Sequence, residues 1–226
     1  MKNTFIGTPM ERREDLRFLR GRGEYVDDVA MPGLLYAVIL RSSVAHGRLV
    51  SVDASAALKI SGVHAVITGR DMPGGVPIVP MRLQPLPEFK PFEQPVIAHD
   101  KVRYVGEPVA VVFASDAYVA EDAADLVQLE LDPLPPVVNA TDPLGEFAPG
   151  LATEPLAIRK EYGDIDAAFR AATHTLTLEL AVGRHSGVPL ETRGAIARYD
   201  AARDMLEMHG AAKVPHWNRD QIARML

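Results

Sequence analysis

The residues best suited to chemistry lie in one segment, residues 182–194, which runs Val-Gly-Arg-His-Ser-Gly-Val-Pro-Leu-Glu-Thr-Arg-Gly. It follows one strand-like stretch and precedes another, and loops at strand ends commonly carry binding and catalytic groups. His185 or the backbone N–H groups of this loop could hydrogen-bond to an anionic or oxo ligand. The alternative is a rigid connection in which Glu191 and Arg193 merely form an ion pair. The residue types alone favour neither interpretation.

Other ionisable residues do not form a recognisable catalytic motif. No two of the seven histidines lie at i, i+2 or i, i+4, so isolated surface or hydrogen-bonded histidines are expected and a metal site is not. Asp27 and Asp28 could act as paired acids in hydrolysis, but Arg20 and Arg22 nearby favour a salt-bridged turn. Cysteine is absent, which excludes disulfides, a thiolate nucleophile and cysteine-held zinc or iron–sulfur clusters within these residues.

Composition limits the class of protein. The 226 residues, of which 47% are hydrophobic and 24% charged, are typical of a globular protein with one large or two small domains. No apolar run approaches the roughly 20 residues of a membrane span, and no secretory signal is visible, so a cytoplasmic location is expected. Between Arg103 and Arg159 there are ten acidic residues and no basic one. That stretch would repel phosphate backbones, so nucleic-acid binding is not expected.

The first part of the chain predicts an α+β domain. Strand-like runs occur at 34–40, 48–53, 64–68, 109–113 and 128–131, with one helix after Asp53 and another over 116–127. In the second helix Ala117, Ala120, Ala124 and Val127 recur at helical spacing, and Ser115 is the expected N-cap. Seven prolines between residues 73 and 95 predict a long irregular loop. The apolar residues of that loop suggest a surface covered by a partner chain; they are Leu83, Leu86, Phe89 and Phe92.

The second part is predicted to be shorter and incomplete. Residues 141–162 indicate a linker, and 163–172 and 216–226 indicate helices. The clearest strand is expected at 173–182, where leucines and a valine alternate with polar residues. Further strands are predicted at 193–199 and 205–208. These few elements are too small to close their own core, so the chain is interpreted as interrupted.

Several segments, in order, resemble one known family over nearly the full length. One of them is Val105-Gly106-Glu107-Pro108, within the match at 105–112. The others lie at 13–15, 21–28, 32–37, 41–42, 45–48, 62–69, 187–194 and 214–216. The chain resembles the N-terminal part of the molybdenum-cofactor subunit in the xanthine dehydrogenase and aldehyde oxidase family, nearest the carbon-monoxide-dehydrogenase-like large subunits.

The resemblance implies a domain organisation and a function. It implies an α/β hammerhead domain over residues 1–140, a linker over 141–162, and the truncated start of a molybdopterin-binding domain over 163–226. The family hydroxylates aldehydes, N-heterocycles or related carbons with oxygen from water, at molybdenum held by a pterin dinucleotide. Its [2Fe-2S] clusters and FAD are expected on partner subunits. The resemblance places Gly183, Arg184 and His185 near the molybdenum pocket, with His185 the one catalytic candidate and no metal ligand.

Two other functions remain alternatives at this point. A hammerhead domain could serve as a non-catalytic docking module, or scattered His and Asp residues could form a small metal hydrolase. The resemblance favours an N-terminal portion of a molybdenum hydroxylase that binds no cofactor alone and is inactive without the remainder of the subunit. A downstream reading frame encoding the rest of the cofactor domain would distinguish it from a docking module.

Overall fold

The computed structural model describes residues 6–7, 9–81, 86–183 and 185–226. Its helices are α1 Asp15–Leu19, α2 Ala117–Asp125, α3 Ile165–Ala171 and α4 Pro215–Met225. Its strands are β1 Tyr36–Arg41, β2 Gly47–Asp53, β3 Val63–Thr68, β4 Lys101–Val102, β5 Pro108–Ala114, β6 Gln128–Pro133, β7 Glu146–Ala148, β8 Leu151–Ala152, β9 Ala195–Asp200 and β10 Met205–Gly210. The mixture confirms the predicted α+β class.

The chain forms two compact units. One comprises Met1–Pro32 with Ala181–Asn218, and the other comprises Gly33–Leu180 with Arg219–Leu226. None of the helices built from the described residues combines the length and hydrophobicity that a bilayer crossing requires.

The larger unit is organised around strand β5. It lies between β1 and β3 in an antiparallel sheet, and Val109, Ala110 and Val112 are fully buried. Helix α2 packs against this sheet through Ala120, Ala123 and Ala124. Small side chains allow a helix to approach a sheet closely. Of the predicted stripe, Ala120, Ala124 and Val127 are buried and Ala117 is half-buried, while the buried Ala123 was not part of the prediction.

The cap of helix α2 differs from the prediction by one residue. The Asp116 carboxylate accepts hydrogen bonds from the N–H groups of Tyr118 and Val119 at 2.9 and 3.3 Å. The Ser115 hydroxyl instead donates to the Gly62 carbonyl. Asp116 is the residue with extended backbone at the helix start, so its side chain reaches the free N–H groups.

A second sheet has β2 between β4 and β6, all antiparallel. The helix predicted after Asp53 is reduced to the single 3-10 turn Ala57–Lys59. The Asp53 carboxylate accepts the Ser55 N–H at 2.8 Å, which favours a tight turn over a full helix.

The proline-rich loop folds back on itself. Ile78 forms an isolated bridge with Pro95, and the Val96 N–H donates to the Pro77 carbonyl at 3.0 Å. A short 3-10 helix, Pro87–Phe92, lies within the loop; the proline at its start fits because that position needs no N–H. Leu86, Phe89 and Phe92 are half-buried, and Leu83 lies outside the described residues.

The segment 141–162 contains the small hairpin formed by β7 and β8. The Phe147 ring in this hairpin lies 4.5 Å from the Phe92 ring of the proline-rich loop. The Lys101 ammonium lies 4.1 Å from the centre of the Phe147 ring and donates to the Phe147 carbonyl.

The strand predicted at 173–182 is wrong. These residues have no regular structure, and Leu176, Leu178, Leu180 and Val182 are 66–83% exposed. A strand requires a neighbour to pair its N–H and C=O groups, and among the described residues no strand pairs with this segment. Strands β9 and β10 do form, as an antiparallel pair in the smaller unit.

Candidate functional site

The loop that contains His185 is open to solvent. Gly183 and every residue from 185 to 190 are exposed and have no helix or strand, while Arg184 lies outside the described residues. A Cβ added at Gly183 or Gly187 would have no atom within 4 Å. A ligand could therefore approach the backbone of this loop closely from either glycine.

The middle of this loop is strained at Val188. Its φ is +33°, a left-handed conformation that a β-branched residue rarely adopts. Such strain costs on the order of 1–3 kcal/mol and is found preferentially at functional sites. The Val188 N–H has the Ser186 hydroxyl 3.5 Å away, at the limit of a hydrogen bond. No sequence signal pointed to this residue, because valine is not typical of turns.

The end of the loop is anchored to the amino-terminal segment. The Val26 N–H donates a 3.2 Å hydrogen bond to Glu191 Oε1. Val26 begins the 3-10 turn Val26–Asp28, and the Tyr25 N–H donates to Asp28 Oδ2 at 2.8 Å. Two carboxylates thus accept adjacent backbone N–H groups at the start of one turn.

This arrangement differs from one expectation drawn from the sequence, and it lacks the ion pair of one alternative that the sequence left open. Asp28 caps its own turn, and among the described residues no ion pair links Asp27 or Asp28 to Arg20 or Arg22. Within the same described part of the chain, Glu191 contacts Val26 and no ion pair joins it to Arg193. Both ion pairs were considered because the opposite charges are close in the sequence. In the structure the carboxylates of Asp28 and Glu191 instead accept hydrogen bonds from backbone N–H groups.

A polar cavity of about 170 Å³ lies between the turn and the loop end. Its lining consists of Tyr25, Val26, Asp27, Asp28, Leu190, Glu191, Thr192, Arg193 and Gly194. Three carboxylates and one guanidinium give it mixed charge. His185 does not line this cavity, so the structure does not bring the predicted catalytic candidate together with Glu191 and Arg193.

The chemistry available at the loop is hydrogen bonding. Among the residues that the structure describes, no group of three or more His, Cys, Asp or Glu side chains could hold a metal ion. The accessible backbone at Gly183 and Gly187, together with the His185 imidazole, offers hydrogen-bonding groups to a polar ligand.

A buried ion pair forms a second polar centre, in the larger unit. The Glu107 side chain is fully buried, and Arg103 Nη1 donates to its Oε1 at 2.9 Å. Around it the Ser42 N–H donates to the Glu107 carbonyl at 2.9 Å, and the Gly106 N–H donates to the Ser42 carbonyl at 2.8 Å. This centre holds the turn before β5 against the end of β1. In the sequence, the signal for this polar centre was an acidic residue, Glu107, directly before the apolar run that forms β5.

Two family models match the chain in succession. Residues 20–135, just over half of the chain, match "Aldehyde oxidase and xanthine dehydrogenase, a/b hammerhead domain". Residues 150–226 match "Molybdopterin cofactor-binding domain".

Curated relatives align over nearly the whole chain. The 6-hydroxypseudooxynicotine dehydrogenase complex subunit gamma of Paenarthrobacter nicotinovorans is 42% identical over 100% of this chain and 29% of its own length. The nicotine 6-hydroxylase large subunit of the same organism is 37% identical over 94% of this chain and 26% of its own length. The carbon monoxide dehydrogenase large chain of Hydrogenophaga pseudoflava is 34% identical over 94% of this chain and 28% of its own length.

A solved structure shows the same fold. Quinoline 2-oxidoreductase from Pseudomonas putida 86 superposes with a TM-score of 0.84 at 33% identity, over 97% of this chain and 28% of that one. The chain thus spans less than a third of the length of these relatives. It belongs to the aldehyde oxidase and xanthine dehydrogenase family and carries that family's a/b hammerhead domain, followed by part of a molybdopterin cofactor-binding domain.

Proposed function

We propose that this chain is the N-terminal portion of the molybdenum-cofactor subunit of a molybdenum hydroxylase. The reaction would be the oxidative hydroxylation of an aldehyde, an N-heterocycle or a similar carbon with oxygen from water. The observation that carries the proposal is the succession of the two family models along one chain. The names of nicotine 6-hydroxylase and quinoline 2-oxidoreductase favour an N-heterocycle among these substrates.

The proposal assigns residues 1–140 to the hammerhead domain, 141–162 to a linker and 163–226 to the start of the cofactor-binding domain. The bound molybdenum–pterin dinucleotide would supply the two-electron oxidation of the substrate carbon. Within this chain, His185 would hydrogen-bond to an oxo group or to the substrate. Gly183 and Arg184 would contribute to binding the cofactor near the molybdenum pocket. The open space at Gly183 supports this role, because the backbone there is accessible to a large ligand.

We also propose that the complete enzyme contains further polypeptide. It would comprise the remainder of the molybdopterin subunit, an iron–sulfur subunit with [2Fe-2S] clusters and an FAD subunit. The exposed apolar side chains of residues 176–182 support the first of these partners, since side chains of this kind are usually covered in a finished protein. The subunit names of the relatives support an assembly of several chains.

The test compares this chain alone with the assembled complex. Each preparation is analysed for molybdenum by mass spectrometry and assayed for oxidation of nicotine and quinoline with an artificial electron acceptor. We expect about one molybdenum per assembled complex, activity towards an N-heterocycle, and neither property in the chain alone. Stoichiometric molybdenum in the monomeric chain would contradict the proposal that this chain needs the remainder of the subunit to bind the cofactor. A complete complex without molybdenum would overturn the hydroxylase and favour the docking module.

A further inference from the structure

We propose that Glu191 is a positioning residue for the loop that carries His185. Its carboxylate fixes the end of the loop by accepting the Val26 N–H at 3.2 Å. The role of the loop at the molybdenum pocket rests on the proposed function, whereas the contact itself belongs to this chain. Glu191 would act through the placement of His185 and would not touch the reacting atoms.

The turn at Val26 supplies a specific place for this carboxylate. N–H groups at the start of a helical turn have no acceptor within the turn. The Tyr25 N–H is already taken by Asp28, which leaves the Val26 N–H for an outside acceptor. Glu191 is half-buried and is the side chain that fills this place. A partly shielded carboxylate forms a stronger hydrogen bond to N–H than a neutral oxygen does.

A second contact supports the same anchor. A Cβ built on Gly194 would lie 3.4 Å from Val26 Cγ1, so the Val26 side chain lies directly over this glycine. Strand β9 begins at the next residue, and its Ile196 is buried. The chain is therefore supported at Glu191, at Gly194 and in β9, and it is exposed on the His185 side of Glu191.

The strain at Val188 explains why an anchor is needed at this point. Val188 lies between His185 and Glu191 and has a φ of +33°. An unfavourable backbone conformation persists only where the surrounding structure holds it. If the Glu191 contact is lost, Val188 can relax to negative φ, and the backbone leading to His185 changes direction.

The test uses the complete enzyme that contains this chain, with Glu191→Leu, Glu191→Gln and the exposed control Glu24→Leu. We expect Glu191→Leu to speed amide hydrogen exchange at Val26 by about tenfold or more, because its acceptor is gone. We expect kcat to fall about tenfold with molybdenum content and KM unchanged. Glu191→Gln retains an acceptor oxygen, so both the Val26 exchange rate and kcat should lie close to their wild-type values. Glu24→Leu should change neither the exchange rate nor kcat.

A double variant separates positioning from a general loss of structure. If Glu191 acts through His185, then His185→Ala should lower kcat much less in the Glu191→Leu background than in the unaltered enzyme. Additive losses, or unchanged exchange at Val26, would overturn the positioning role. A complete enzyme without molybdenum would overturn the proposed function and this role with it, and Val26 exchange would still report whether the anchor exists.

Discussion

Arg103 and Glu107 form an ion pair in which one partner has no contact with solvent. Arg103 Nη1 lies 2.9 Å from Glu107 Oε1, and the Arg103 backbone N–H donates to the other carboxylate oxygen. The Arg103 side chain is 17% exposed and also reaches Asp100 at 3.2 Å. The carboxylate is thus held by two donors from one residue.

Arg103→Met should destabilise the chain by about 3–5 kcal/mol, because it leaves a buried carboxylate without its partner. Arg103→Met combined with Glu107→Leu should cost much less than the single change, since no charge then remains buried. Denaturant unfolding gives the free energies of unfolding. The exposed pair of Arg12 and Asp15, 3.5 Å apart, is the control, and Arg12→Met should change little. Equal losses in the single and double variants would contradict the ion-pair explanation.

Ala120→Glu should destabilise the larger unit by a few kcal/mol. Ala120 is fully buried between α2 and the sheet, so the new carboxylate would lose its hydration without gaining a partner. Tyr118→Glu introduces the same group on the same helix at a residue that is 77% exposed and should change stability little. The free energy of unfolding measures both. Similar losses at the two positions would show that the added charge, and not burial, is responsible.

The pH dependence of stability should contain a contribution from Lys101. Burial lowers the pKa of its ammonium below the usual lysine value, so the unfolded chain binds this proton more tightly. The free energy of unfolding should therefore rise with pH between the lowered pKa and the usual one. Burial raises the pKa of Tyr104, and that phenol acts in the opposite direction. The check is the difference between the wild-type and Lys101→Met pH profiles; identical slopes would contradict it.

Chymotrypsin should cut after Phe89 in the isolated chain and much more slowly in the assembled enzyme. Phe89 lies in the proline-rich loop and is only half-buried in this chain. A partner over the loop would remove the local opening that cleavage requires. Tyr118 is exposed but lies within α2 and should resist in both states. Equal rates at Phe89 in the two states would argue against a partner at this surface.

His185→Ala should lower the turnover of the complete enzyme roughly 10- to 100-fold, the effect typical of groups that orient a metal centre from outside its ligand set. His185 is exposed in this chain, so assembly and molybdenum content should be unchanged. His174→Ala removes another exposed imidazole from the same stretch and provides the control. Wild-type turnover in the His185 variant would show that this side chain has no role at the molybdenum centre.

Local patterns were sufficient to predict the central strand and the main helix of the larger unit. The apolar run at 109–113 became the central strand β5, and the alanine spacing at 116–127 became α2 with Ala120 buried. Both depend on interactions between near neighbours. The cap was displaced from Ser115 to Asp116 because either side chain can accept an N–H, and only the backbone conformation decides which one does.

The remaining features depend on contacts that local patterns do not encode. Alternation at 173–182 shows which side chains share a face, but a strand also needs a neighbouring strand. The Val26–Glu191 hydrogen bond joins distant residues, and the left-handed Val188 depends on how the loop is held. The roles of Gly183, Arg184 and His185 at a cofactor remain predictions, for which the structure supplies accessibility at Gly183 and His185.

Val26 and Glu191 are 165 positions apart in the sequence, and this separation also affects the timing of folding during protein synthesis. At roughly 5–20 residues per second, a ribosome needs about 8–33 s to travel from one residue to the other. Residues 33–180 form most of a compact unit and can pair their strands in that interval. Residues 1–32 cannot complete their unit until residues 181–218 have been synthesised. Until then they remain accessible to chaperones and proteases. Slow codons in that interval would prolong this exposure.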